Sequence, residues 1–159
     1  MIKAVVWDIG GVLVEDPQVK GFWNDKQGSK ELRKEFGSNK ISVEEFAKKG
    51  AELLGLSEED FLNQYKEAYL NVNSIEGTLK IYNNLESDNY ILSDTNPIHM
   101  NFIKENFEEM LDKSKKTYFS PETGMRKDNK ETFDFIAEDM ELKPEEILFI
   151  DNKSKLVDV

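Results

Sequence analysis

Val5-Val6-Trp7-Asp8-Ile9-Gly10-Gly11-Val12 sits near the start of the chain: a short β-branched run, an aspartate at its end, and a glycine pair that stops it. Such a run reads as a buried strand of a parallel sheet, here over 2–7. Two later runs end in the same way, Tyr90-Ile91-Leu92-Ser93 and Ile147-Leu148-Phe149-Ile150-Asp151. In open α/β sheets ligands gather where the strands end, so Asp8, Ser93 and Asp151 are expected in one crevice. A carboxylate placed there can attack phosphorus. With Lys127 falling between the second and third runs, the order of these residues suggests an enzyme that works through an aspartyl-phosphate.

From residue 15 to about 73 the pattern becomes helical and offers no convincing strand. Ser42-Val43-Glu44-Glu45 and Ser57-Glu58-Glu59-Asp60 read as helix starts, the first a full capping box, and Gly55 stands where a helix would stop. Phe46, Leu53 and Leu54, then Phe61, Leu62, Tyr65 and Leu70, fit apolar helix faces. The expectation is an all-helical insert over 15–73. After it α/β alternation resumes: a helix over 75–85, a strand over 89–92, a helix that Asn96-Pro97 would start, a strand near 117–119, a helix over 129–140 and a strand over 147–150. Strands alternating with helices imply a parallel sheet with right-handed crossovers.

A chain of 159 residues has room for one domain with a core and a small insertion. Its formal net charge of -11 would repel nucleic acid and anionic membranes, so neither is expected as a partner. It has no cysteine, which excludes disulfides, a thiolate nucleophile and cysteine metal sites. No apolar segment is long enough to span a bilayer and no leader is visible, so a cytoplasmic location is expected.

The four motifs resemble those of the haloacid dehalogenase superfamily, most closely its small-capped sugar-phosphate phosphatases. Trp7-Asp8-Ile9-Gly10-Gly11-Val12-Leu13 looks like the first motif and Ser93-Asp94-Thr95-Asn96 like the second. Gly124-Met125-Arg126-Lys127 looks like the third and Phe149-Ile150-Asp151-Asn152 like the fourth. The resemblance implies an α/β fold of the haloacid dehalogenase type: a three-layer Rossmannoid core over 1–14 and 74–159, with a small helical cap over 15–73. It implies a Mg²⁺-dependent phosphomonoesterase acting on a small phosphorylated metabolite such as a sugar phosphate. Asp8 would be the nucleophile and Lys127 would supply positive charge. Ser93, the Asp94 backbone N–H and Lys127 would hold the phosphate, while Asp8, the Gly10 carbonyl, Asp151 and Asn152 would hold the metal.

Five residues depart from that pattern. Most phosphatases of the superfamily carry a second aspartate two residues after the nucleophile, where this chain has Gly10. The small-capped branch shares that glycine, and water or a cap residue would then carry the proton. Asn152 replaces an acid that commonly binds metal, so metal affinity should fall. Leu156 replaces a usual asparagine, and Asp128 follows Lys127 where proline is usual. Asp94 replaces a common asparagine and brings negative charge near the phosphate. Family members also continue with a helix and another strand, so the sheet is expected to lack its last strand. The 147–150 strand would then be an exposed edge, and a homodimer or a loosely ordered C-terminus is expected.

Two other readings use the same residues. A degenerate relative would bind a ligand or partner without turnover, and a haloacid dehalogenase would use the same aspartate without metal. Gly10 and a nearly arginine-free first half disfavour the dehalogenase. His99, the only histidine, reads as a packing or capping residue, Phe22 and Trp23 as core of the insert, and 30–35 and 113–116 as solvated faces.

Overall fold

The structure is a computed structural model that describes residues 1–17, 20–23 and 26–153. Leu156 and the C-terminal helix expected around it lie outside the described residues. The strands β1 (Ala4–Trp7), β2 (Asp88–Ser93), β3 (Lys116–Phe119) and β4 (Ile147–Ile150) form one parallel sheet in the order β3-β2-β1-β4. Between β1 and β2 run α1 (Lys20–Trp23), α2 (Ser29–Gly37), α3 (Val43–Leu54), α4 (Glu58–Leu70) and α5 (Glu76–Asn84). Helices α6 (Pro97–Asn106) and α7 (Glu108–Asp112) connect β2 to β3, and α8 (Ser120–Thr123) and α9 (Lys130–Asp139) connect β3 to β4.

Successive strand side chains point to opposite faces, and the core divides accordingly. Val5, Trp7, Ile91 and Phe119 pack with Tyr82 of α5, Ile103 of α6 and Met110 of α7. Val6, Leu92 and Tyr118 pack with Ile136 of α9 on the other face. Helix, sheet and helix therefore make three layers. Within the first layer Trp7 meets Tyr82 edge to face at 5.5 Å, and its indole N–H donates to Asn89 Oδ1 at 2.9 Å. A buried tryptophan needs such an acceptor for its polar edge.

Helices α1 to α4 bury a third cluster of their own: Trp23, Leu32, Phe36, Ile41, Phe46, Phe61 and Tyr65 with their neighbours. Phe36 stacks on Phe46 at 3.9 Å, and Phe22 and Trp23 meet edge to face at 5.0 Å, so this aromatic pair belongs to the helical insert's core. Local signals set the helix ends. Ser42 Oγ accepts from Glu45 N, Ser57 Oγ accepts from Asp60 N, and Gly55 ends α3 with φ +71°. Two backbone bonds close the neck where the insert leaves and re-enters the core, Glu15 N to Asn73 O and Ile75 N to Leu13 O, each 2.9 Å. No helix among the described residues is long and apolar enough to cross a membrane.

Candidate active site

Strand register brings the motifs together. Trp7 pairs with Ile150 on one side and Ile91 on the other, so Asp8 and Asp151 are the next residues on neighbouring strands and Ser93 ends the third. Asp8 N still donates to Ile150 O at 2.9 Å, which fixes the carboxylate at the sheet's carboxyl edge. Just beyond, Gly11 adopts φ +73°, and the N–H groups of Val12, Leu13 and Val14 all turn back to Ile9 O. A β-branched or bulky residue at Gly11 would be strained in that conformation.

Lys127 reaches the same point from the loop before α9. Its Nζ lies 2.9 Å from Asp8 Oδ1 and 2.5 Å from Asp151 Oδ2, and all three side chains are almost wholly out of water. Burial pushes the Asp8 carboxyl up to about 6; the Lys127 charge and hydrogen bond pull it down, the Asp151 charge adds to the rise, and the Ile9 N–H bond opposes it. Burial also pushes Asp151 up, but its bonds to Lys127 Nζ and to Lys153 N hold it below the ordinary carboxylate value.

Asp94 lies in the same cleft, with its carboxylate turned to the third motif. Its Oδ1 accepts from the backbone N–H of Lys127 at 3.0 Å, and its Oδ2 lies 3.3 Å from Arg126 Nη2. Its negative charge is thereby committed to the third motif, and only its backbone N–H remains a candidate for phosphate. Asn129 N and Thr132 Oγ1 both donate to Arg126 O and brace the loop that carries Lys127.

Asp8, Gly10, Ser93 and Asp94 line a cleft of about 590 Å³, whose other wall includes Arg33, Tyr65 and Tyr69 from α2 and α4. Arg33 belongs to a charged run expected to face solvent, but its bond to Ser29 O and its guanidinium 5.7 Å from the Trp23 ring centroid hold it against the insert. Asp16 and His99 also line this cleft. His99 N is capped by Asn96 Oδ1 as expected, but the ring faces the cleft side with Nδ1 3.0 Å from Thr95 Oγ1. Burial lowers the imidazole to about 4, with the Asp16 charge pulling the other way.

A family model described as haloacid dehalogenase-like hydrolase matches residues 2–153. The chain belongs to that family of hydrolases. It is 29% identical to the D-ribitol-5-phosphate phosphatase of Bacteroides thetaiotaomicron, over all of this chain and 87% of that protein. A HAD family enzyme from Bacteroides thetaiotaomicron, solved as a magnesium complex, is similar with a TM-score of 0.76 at 25% identity, over 99% of this chain and 88% of its own. A predicted HAD-like family hydrolase from Porphyromonas gingivalis gives a TM-score of 0.80 at 25% identity, over 99% and 85%.

In this haloacid dehalogenase-like hydrolase the donors available to a metal are of one chemical kind. Asp8 Oδ1 is taken by Lys127 Nζ and Ile9 N, which leaves Oδ2 for a further partner. Both Asp151 oxygens are bonded, to Lys127 Nζ and Lys153 N. Asn152 donates Nδ2 to Asp16 Oδ2 at 3.0 Å, and that orientation turns its Oδ1 into the acceptor left over. Among the described residues no group of three His, Cys, Asp or Glu side chains is arranged as a metal cage. A carboxylate oxygen, the Gly10 carbonyl and an amide oxygen suit a hard cation that keeps waters and shares substrate phosphate.

Proposed function

We propose that the protein is a Mg²⁺-dependent phosphomonoesterase acting on a small phosphorylated metabolite of the sugar or sugar-alcohol phosphate kind. The observation that carries this reading is the Lys127 ammonium held between Asp8 and Asp151 at the mouth of the sheet. Two anions must meet when a carboxylate attacks a phosphate, and a fixed cation beside the nucleophile offsets their repulsion. The naming of the Bacteroides relative as a D-ribitol-5-phosphate phosphatase supports the substrate class, and the magnesium complex of the similar enzyme supports the metal.

In this reading one carboxylate oxygen of Asp8 bonds to phosphorus, the ester oxygen departs with its electron pair, and water then opens the phospho-aspartate to release inorganic phosphate. Ser93 Oγ, the Asp94 N–H and Lys127 Nζ receive the phosphate oxygens. Asp8, the Gly10 carbonyl, Asp151 and Asn152 would hold Mg²⁺, which supplies positive charge to those oxygens when bound. Asp151 also aims Lys127, and each of its oxygens keeps a second acceptor site beside its one hydrogen bond. The helical insert over 15–73 acts as the cap, since α2 and α4 supply the wall opposite the nucleophile.

The test is phosphate release from an aryl phosphate and a panel of pentitol and sugar phosphates, with Mg²⁺ or a chelator, by the native chain and Asp8→Asn. Metal-dependent turnover lost in the variant is expected. Folded native protein that releases no phosphate from any of them would contradict the reading and favour a ligand-binding relative.

A further inference from the structure

Arg33 stands half-buried on the wall of the cleft opposite the nucleophile. Its Nε donates to Ser29 O at 3.2 Å, and its guanidinium carbon lies 5.7 Å from the Trp23 ring centroid. A backbone acceptor on one edge and a buried ring under its face fix the plane of the group. The Nη groups are left without a partner among the described residues. Charges drawn out of water are ordinarily paired, and this chain has 32 aspartates and glutamates to draw on. Among the described residues none of them pairs with Arg33. The other charges along the cleft are accounted for: Asp8 faces Lys127, Asp94 faces Arg126, Asp16 accepts from Asn152, and Lys153 is exposed to water. Burial raises the Tyr65 hydroxyl well above its ordinary value and the Arg33 charge opposes that rise, so the guanidinium acts on the same wall as Tyr65.

We infer that Arg33 binds a carboxylate at the end of the substrate far from its phosphate, which makes the preferred substrate a phosphorylated sugar acid. The inference rests on the phosphatase reading above and narrows its substrate class. The phosphate end is provided for on the nucleophile's wall by Lys127, Ser93 Oγ and the Asp94 N–H, so Arg33 across the cleft meets the other end of the molecule. A planar guanidinium with its Nη edge open matches a carboxylate in a two-bond fork, whereas a hydroxyl leaves the charge uncompensated. Filling the cleft expels water and sharpens that difference, because an unpaired charge then loses its hydration. A neutral alditol end is thus the poorer fit and an aldonate end the better one.

The experiment measures kcat/KM with Mg²⁺ on ribonate 5-phosphate, ribitol 5-phosphate and an aryl phosphate, for native protein, Arg33→Gln and Arg33→Lys. The first two probes have the same length and differ only at the carbon farthest from phosphate, a carboxylate against a hydroxymethyl group. Native protein is expected to prefer the acid by about 10- to 10²-fold, the worth of a charge-assisted hydrogen-bonded pair. In Arg33→Gln that preference should vanish. In Arg33→Lys, which keeps the charge and loses the fork, it should be intermediate. A native chain without the preference, a preference that survives in Arg33→Gln, or an equal fall on all three probes would overturn the assignment, the last by showing that Arg33 only supports the insert. Turnover of the aryl phosphate or of ribitol 5-phosphate with no preference for the acid refutes this inference alone. A native chain that turns over none of the three refutes the phosphatase reading and this inference with it.

Discussion

Lys127 Nζ lies 2.9 Å from Asp8 Oδ1, and the two side chains are 1% and 5% exposed. An ion pair so far from water is held by its surroundings. Asp151 takes a second Lys127 proton, Asp94 anchors the lysine backbone, and the Ile9 N–H anchors Asp8. An ammonium has three protons, and the two protein carboxylates account for two of them. The third is available to a phosphate oxygen in the reading given above.

Removing that cation should be costly. Lys127→Met leaves two carboxylates buried side by side, and breaking a buried pair by deleting one partner costs about 3–5 kcal/mol. Urea unfolding of native and variant protein measures it. An unchanged midpoint would mean that the buried pair is not formed in solution.

The neutral imidazole of His99 should leave a signature in the pH dependence of stability. Burial sets its folded value at about 4 against an ordinary 6.5, so between these values the unfolded chain binds more protons than the folded one. Its contribution, about 3 kcal/mol in full, is present above pH 6.5 and is lost as pH falls towards 4. Asp8, raised by burial to about 6, acts with the opposite sign over an overlapping range. The difference between unfolding curves of native protein and His99→Gln isolates the imidazole. A difference that stays flat from pH 7 to 4 would show the ring to be solvated.

The insert seats on the sheet at Gly37. Ser120 Oγ lies 2.9 Å from the Gly37 carbonyl and 3.1 Å from the Thr95 carbonyl, and it accepts from Thr95 N at 3.0 Å. A Cβ at Gly37 would come 2.7 Å from the Thr95 carbonyl oxygen, which belongs to backbone and yields little. Gly37→Ala should therefore destabilise the chain by about 1–3 kcal/mol. Because the seam lies beside the cleft, KM should rise more than kcat falls. Thermal unfolding and steady-state kinetics check the two effects, and a variant like the native chain in both would show that α2 is not seated at this point.

Much of this fold is legible in the sequence, for reasons that differ by element. β4 has the bounds its apolar run suggests, 147–150. α6 begins at Pro97 with Asn96 Oδ1 as its cap, as the Asn-Pro pair implies. The short helices α7 and α8 are not legible in the sequence because five residues and four residues carry too little periodicity. At the site, Asp8, Ser93 and Asp151 could be placed because strand ends fix them, and Lys127 only through its motif. Asp16 could not: it follows no strand and matches no motif, and only the fold of the neck carries it back over Gly10. Arg33 was hidden within a charged run whose neighbours do face water. Asp94 shows the opposite limit, since its motif located it but gave no sign that its carboxylate serves Lys127 and Arg126.

The most direct measurement is to stop the reaction with acid during turnover of an aryl phosphate in Mg²⁺ and to weigh the peptide that contains Asp8. The expected result is one added phosphoryl group on Asp8, released by hydroxylamine and absent from Asp8→Asn. Steady phosphate release with Asp8 never modified, or undiminished release by Asp8→Asn, would contradict the account.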